Sequence, residues 1–170
     1  MHDLIVAFDP GTKHLGICAV STHTEHERPD TIVLWEVIDV SGGVDAFTKA
    51  MRGATDDVLA RAHTVVIERQ PPLNRSALQI QHWIEVYVNL RNPACTIVLR
   101  NAQTRVAYVR RVRPDLDFST YARRKKSSIQ YVRTLVKGTP DESRFEREHK
   151  KDDLAEAYTL TRLVPRVVDN

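Results

Sequence analysis

The chain has 170 residues, of which 42% are hydrophobic, and a formal net charge of +3 at pH 7. This is the size of one domain with enough apolar side chains for a continuous core, so residues 1–170 are expected to form a single domain. The apolar run Leu4–Phe8 ends in Asp9 and is too short for a signal-peptide core or a membrane span. The expectation is a soluble, intracellular protein with no signal, transit or transmembrane segment and no membrane partner.

Charge is unevenly spread. Between Arg100 and Lys137 there are 11 Lys or Arg against two acids, Asp115 and Asp117, giving +9 there and −6 over the remainder. A basic block of that density suits a polyanion, although charge runs also serve as plain solvated helix faces. Cys18 and Cys95 lie in apolar, strand-like runs without metal-ligand spacing and read as buried free thiols.

In chain order, Leu4–Asp9 is a strand, PGTKH is turn chemistry, and LGICAV from Leu15 resumes an apolar run, which predicts a hairpin. A polar loop with His23, His26 and Pro29 leads to a third strand, Thr31–Val40. Val44–Ala62 has helical spacing, weakened at Gly53, and Thr64–Glu68 is the next strand. Pro71 and Pro72 stop it. A helix over Ser76–Leu90 follows, with Leu78, Trp83, Val86, Tyr87 and Leu90 as its expected buried stripe, then a strand at Cys95–Leu99. Asn101 can cap a helix reaching about Val112. Ser127–Val136 forms another helix behind the basic ARRKKS segment, a charged run covers Asp141–Lys151, and a last helix runs from about Asp152 to Leu163, before Pro165. Five strands in this order, the first three a meander and the others joined by helices, predict an α/β fold with a mixed sheet flanked by helices.

Acids stand where these elements begin or end. Asp9 closes IVAFD, Glu68 closes TVVIE, and Asp152, Asp153 and Glu156 open the last helix. Carboxylates ending separate strands can converge, and a set of three or four suits hard divalent cations in two-metal phosphodiester hydrolysis. Asp9 also has a reading as a turn former, and the helix acids have one as partners of the helix dipole. Residues three or four apart share a helix face, so either Asp153 or Asp152 can pair with Glu156. Lys13, beside Gly11, can meet a phosphate. No phosphate-binding loop of the G-x-x-x-x-G-K-[ST] type and no nucleophile–histidine–acid set is present.

Four segments in order, IVAFDPGTKHLGICAV, VVIERQPPLNRSALQIQ, KKSSIQYVRTLV and KKDDLAEAY, resemble the motifs of RuvC-type Holliday junction resolvases in the RNase H-like superfamily. The adjacent aspartates of the last one are most similar to the poxvirus and fungal mitochondrial branches. The resemblance implies an RNase H-like fold and a homodimer that resolves four-way DNA junctions by paired symmetric nicks. It further implies Mg²⁺, with Mn²⁺ substituting, and hydrolysis that leaves a 5′-phosphate and a 3′-hydroxyl. Carried over by motif, Asp9 and Glu68 match the first two catalytic acids, Asp153 and Glu156 the final pair with Asp152 as the alternative, and Lys126 a basic residue near the scissile phosphate. Arg110, Arg111, Arg113, Arg123, Arg124, Lys125 and Lys126 are the expected DNA-binding residues, joined by Lys13. The family usually has Asp where this chain has Glu156, and Pro71, Pro72 and Leu73 replace a stacking aromatic of bacterial members. The helix over Ser76–Leu90 is the expected dimer surface, through Trp83 and Tyr87. With no mitochondrial presequence, a viral, phage or bacterial source is expected rather than an organellar one. Two rival expectations are an RNase H-like nuclease acting on RNA or RNA–DNA hybrids and a catalytically inert nucleic-acid binding module.

Overall fold

The computed structural model describes residues 2–23 and 30–164; part of the polar loop with His26 and Pro29, and Pro165, lie outside them. Strands β1 (His2–Pro10) and β2 (His14–His23) form the expected hairpin, with Asp9 opposite Gly16. β3 (Thr31–Asp39) continues the antiparallel meander. β4 (Thr64–Arg69) and β5 (Thr96–Asn101) pair in parallel on the other side, completing the mixed sheet in the order β3-β2-β1-β4-β5.

The two faces of this sheet have different partners. Val6, Phe8, Ile17, Ala19, Val65 and Ile67 face α1 (Gly43–Met51), α2 (Ala54–Arg61) and α3 (Arg75–Arg91). The alternate residues Ile5, Ala7, Cys18, Val20 and Val66 face the layer built from α4 (Ala102–Val112), α5 (Tyr121–Val136), α6 (Glu142–Arg147) and α7 (Lys151–Thr161). Because side chains alternate along a strand, Asp9 follows Ile5 and Ala7, and Glu68 follows Val66, onto the α7 face.

Several boundaries differ from the sequence expectation for identifiable reasons. The helix over 44–62 is two helices, broken where Gly53 takes φ 79°, a left-handed conformation that glycine tolerates. The buried stripe of α3 is Ala77, Ile80, Gln81, Ile84 and Val88, while Leu78 is only half-buried and Val86 and Leu90 point to solvent. Helix α5 starts at Tyr121 rather than Ser127, because the Thr120 side chain accepts a hydrogen bond from the Arg123 amide at 3.2 Å and caps it. Part of the charged run over 141–151 coils into α6, whose Phe145 is fully buried. Cys18 and Cys95 are both free, Cys18 buried and Cys95 only partly so.

Two contacts fix α7 against the sheet. Trp35 on β3 stacks on Phe145 with ring centroids 5.2 Å apart, and its indole N–H donates to the Leu154 carbonyl at 2.9 Å. Gly16 on β2 lets the first turn of α7 approach closely. A methyl group there would stand 2.6 Å from the Asp153 carbonyl oxygen and 3.1 Å from its carbon, both backbone atoms that cannot swing away. Gly16→Ala should therefore push α7 off β2 and cost about 1–3 kcal/mol. Urea unfolding of both proteins checks this, the variant having the lower midpoint.

Candidate active site

Asp9 and Glu68 are each only 8% exposed, at the ends of two adjacent strands. The Glu68 strand end is clamped from below. The Gln70 amide donates to Gln81 Oε1 at 2.7 Å, Gln70 Nε2 donates to the Glu68 carbonyl at 3.2 Å, and Gln81 in turn donates to Glu85 at 2.6 Å. Helix α7 crosses the same face and brings up Asp153 and Glu156.

At the centre of these acids lies a residue that the motifs did not single out. Arg105 on α4 is 5% exposed; its Nε donates to Glu68 Oε2 at 2.9 Å, and its Nη1 lies 3.0 Å from Glu156 Oε1. One guanidinium therefore joins β4 to α7. The signal in the sequence was positional: Arg105 stands four residues before Val109, the other buried residue of α4, and so occupies an inward position of that helix.

The electrostatics follow from this crowding. Burial first, then the neighbouring charges of Glu68 and Glu156, push Asp9 well above the ordinary carboxylate range, with Arg105 opposing and Asp153 adding to the shift. Glu68 is raised by burial against the pull of Arg105. Burial also raises Asp153, helped by the charge of Asp152. Burial works against the Arg105 charge, yet Glu156, Glu68 and Asp9 together raise its pKa.

The two helix aspartates divide. Asp152 forms an ion pair with Lys125 on α5, whereas Asp153 contributes to the field at Asp9. Lys126 is the next residue along α5. It is exposed and lines a cleft with Asp115, Asp117, Arg123 and Gln130, because neighbouring helix residues diverge by about 100°. Lys125 is the lysine beside the acids, and its charge is felt at Glu68 and Asp153.

The basic block is less uniform than its count suggests. Arg113 pairs with Asp115 at 2.6 Å, Arg123 with Asp117, and Lys125 with Asp152. Among the described residues, Arg110, Arg111 and Arg124 have no carboxylate partner: Arg110 lies over the Phe118 ring, Arg111 over Tyr108 and Arg124 over Tyr121. Arg110, Phe118 and Arg124 also line one cleft between α4 and α5. Lys13 is exposed in the β1–β2 turn.

Among the described residues, no three His, Cys, Asp or Glu side chains already stand in coordinating geometry. The donor set nevertheless suits a hard cation, since only carboxylates converge here and the place between two of them is held by a positive charge. Among the described residues, no helix is long and apolar enough to cross a membrane.

A model of the poxvirus A22 protein family matches residues 3–164, nearly the whole described chain. The chain belongs to that family. With it comes membership of the RuvC-type Holliday junction resolvases, and so of the nucleases that resolve such junctions. No curated protein matches the sequence. Among solved structures, the RuvC of Thermus thermophilus superposes with a TM-score of 0.60 at 16% identity, covering 93% of this chain and 92% of that one. The T. thermophilus RuvC in complex with a Holliday junction substrate gives 0.55 at 16% identity, over 93% and 90%. These likenesses establish the RNase H-like fold expected from the motifs.

An acid with a raised folded value holds its proton more tightly folded than unfolded, so its contribution to stability falls as pH rises above the ordinary aspartate value of 3.8. Asp9→Asn removes that penalty. In metal-free buffer near neutral pH the variant should melt roughly 2–5 °C above the parent, a gap that closes as pH is lowered toward 3.8. Calorimetric scans in EDTA across that range test it.

Proposed function

We propose that the chain, working as one domain per subunit in a homodimer, cuts four-way DNA junctions in a metal-dependent reaction whose ligands are Asp9, Glu68, Asp153 and Glu156. The observation that carries this is the arrival of carboxylates from β1, β4 and α7 around a single buried positive charge. Mg²⁺ or Mn²⁺ held there would supply an activated water and stabilise the leaving oxygen, the products being a 5′-phosphate and a 3′-hydroxyl.

The protein groups have separate tasks. Asp9 and Glu68 are fixed by the sheet and give the rigid part of the cradle, while Asp153 and Glu156 sit three apart on one face of α7. Asp152, tied to Lys125, positions that lysine beside the acids, where its ammonium can attract a phosphate oxygen. Arg110, Arg124 and Lys13 offer charge to backbone phosphates, so binding should weaken steeply with salt and depend little on sequence.

A dimer with two-fold symmetry matches the two-fold symmetry of a junction cut in opposed strands. Trp83 and Tyr87, the residues suggested by the sequence, are half-buried within the protomer. Both pack inward on Phe47, at 5.7 and 6.1 Å between ring centroids, and the Tyr87 hydroxyl donates to Asp56 at 3.0 Å. The outward face of the same helix carries Val86, 58% exposed, and Leu90, 79% exposed, and these are the proposed contact.

Cleavage of a synthetic mobile four-way junction with Mg²⁺ or Mn²⁺, beside linear duplex and RNA–DNA hybrid, tests the reading. Glu68→Gln should lower the cleavage rate by roughly 10³-fold or more while junction binding in EDTA persists. Equal rates for the two proteins, or preferential cutting of the hybrid, would remove it. Leu90→Asp should convert the dimer to monomer in light-scattering mass measurements and abolish paired nicking, whereas an unchanged mass would exclude this face.

A further inference from the structure

Arg105 is a permanent cation, because a guanidinium keeps its proton in proteins. Buried on α4, it reaches Glu68 at 2.9 Å and Glu156 at 3.0 Å and so spans two of the acids assigned above to metal binding. A second cation close to both carboxylates would compete for the same lone pairs and meet the guanidinium charge across a short, poorly screened distance. The chain has also placed a long-armed Glu at 156, and that arm is what reaches the guanidinium.

We propose that Arg105 is an exchangeable counter-cation: in the metal-free protein it occupies the place between Glu68 and Glu156, and loading with a divalent ion displaces it from at least one of them. The inference rests on the metal-binding reading of the acids. Arg105 then serves two ends. It holds like charges together in a dry site before metal arrives, and it lowers the apparent metal affinity by the fraction of molecules in which it has stepped aside. In this role it is a positioning residue, acting on the acids and not on the reacting atoms.

Two measurements on the full chain test this, both with metal alone. In the first, the Nε–H signal of Arg105 is followed by ¹H–¹⁵N NMR in the parent protein during Mg²⁺ titration, and it should shift as the hydrogen bond to Glu68 is lost. In the second, Mn²⁺ binding is measured by calorimetry for the parent and for Arg105→Met, which keeps an unbranched side chain but no charge. The variant should melt lower in EDTA yet bind Mn²⁺ at least ~10-fold tighter, as expected when a competing state is removed. Should Arg105→Met fail to fold in EDTA, the NMR signal of the parent alone decides. Saturable Mg²⁺ binding that leaves the Nε–H signal in place, with equal or weaker Mn²⁺ affinity in the variant, would overturn the exchange while leaving the metal site standing. If neither protein takes up either ion, the metal reading itself fails and the exchange falls with it.

Discussion

Like charges can share a dry pocket only if something positive stands among them, and the Arg105 guanidinium meets that need between Glu68 and Glu156. The rest of the α7 face is organised around this constraint. Strand alternation delivers Asp9 and Glu68 to one side of the sheet, and Gly16 lets the helix that carries Asp153 and Glu156 come close enough to join them. The chain of side-chain amides from Gln70 through Gln81 to Glu85 fixes the end of β4. The close approach at Gly16, the amide chain and the guanidinium all support the metal-free fold. What costs stability is the set of acids itself, because burial works against the charge of Asp9, Glu68 and Asp153.

The surrounding cations are graded by what already holds them. Arg113, Arg123 and Lys125 are engaged by acids on the same molecule, whereas Arg110, Arg111 and Arg124 lie over aromatic rings. A guanidinium resting on a ring face keeps its hydrogen-bonding edges directed outward, which suits contact with a phosphate backbone. These three ring-backed cations lie on α4 and α5, and α4 also carries Arg105.

Much of this architecture was legible in the sequence because it rests on local rules. Five strands, their order of connection, and the acids at their ends follow from apolar runs bounded by turn residues. What escaped the sequence was rotational. In α3, Val86 and Leu90 were expected on the buried stripe, yet Ala77, Ile80, Gln81, Ile84 and Val88 define it, with Trp83 and Tyr87 packed beside them. On α5, the cap at Thr120 that starts the helix ahead of Ser127 was overlooked, so the helical placement of Lys125 and its pairing with Asp152 were not foreseen. Arg105 was hidden among ten other basic residues in its block, although its inward helical position distinguishes it.

The acids are also far apart along the chain, with Asp9 and Glu68 emerging early in synthesis and Asp153 and Glu156 near residue 160, the last core hydrophobic among the described residues. A partly made or partly folded polypeptide thus carries two corners of the cradle and lacks the third. If these acids hold the metal as proposed, cutting power requires the sheet and α7 together, and a chain that lacks α7 has no complete cradle.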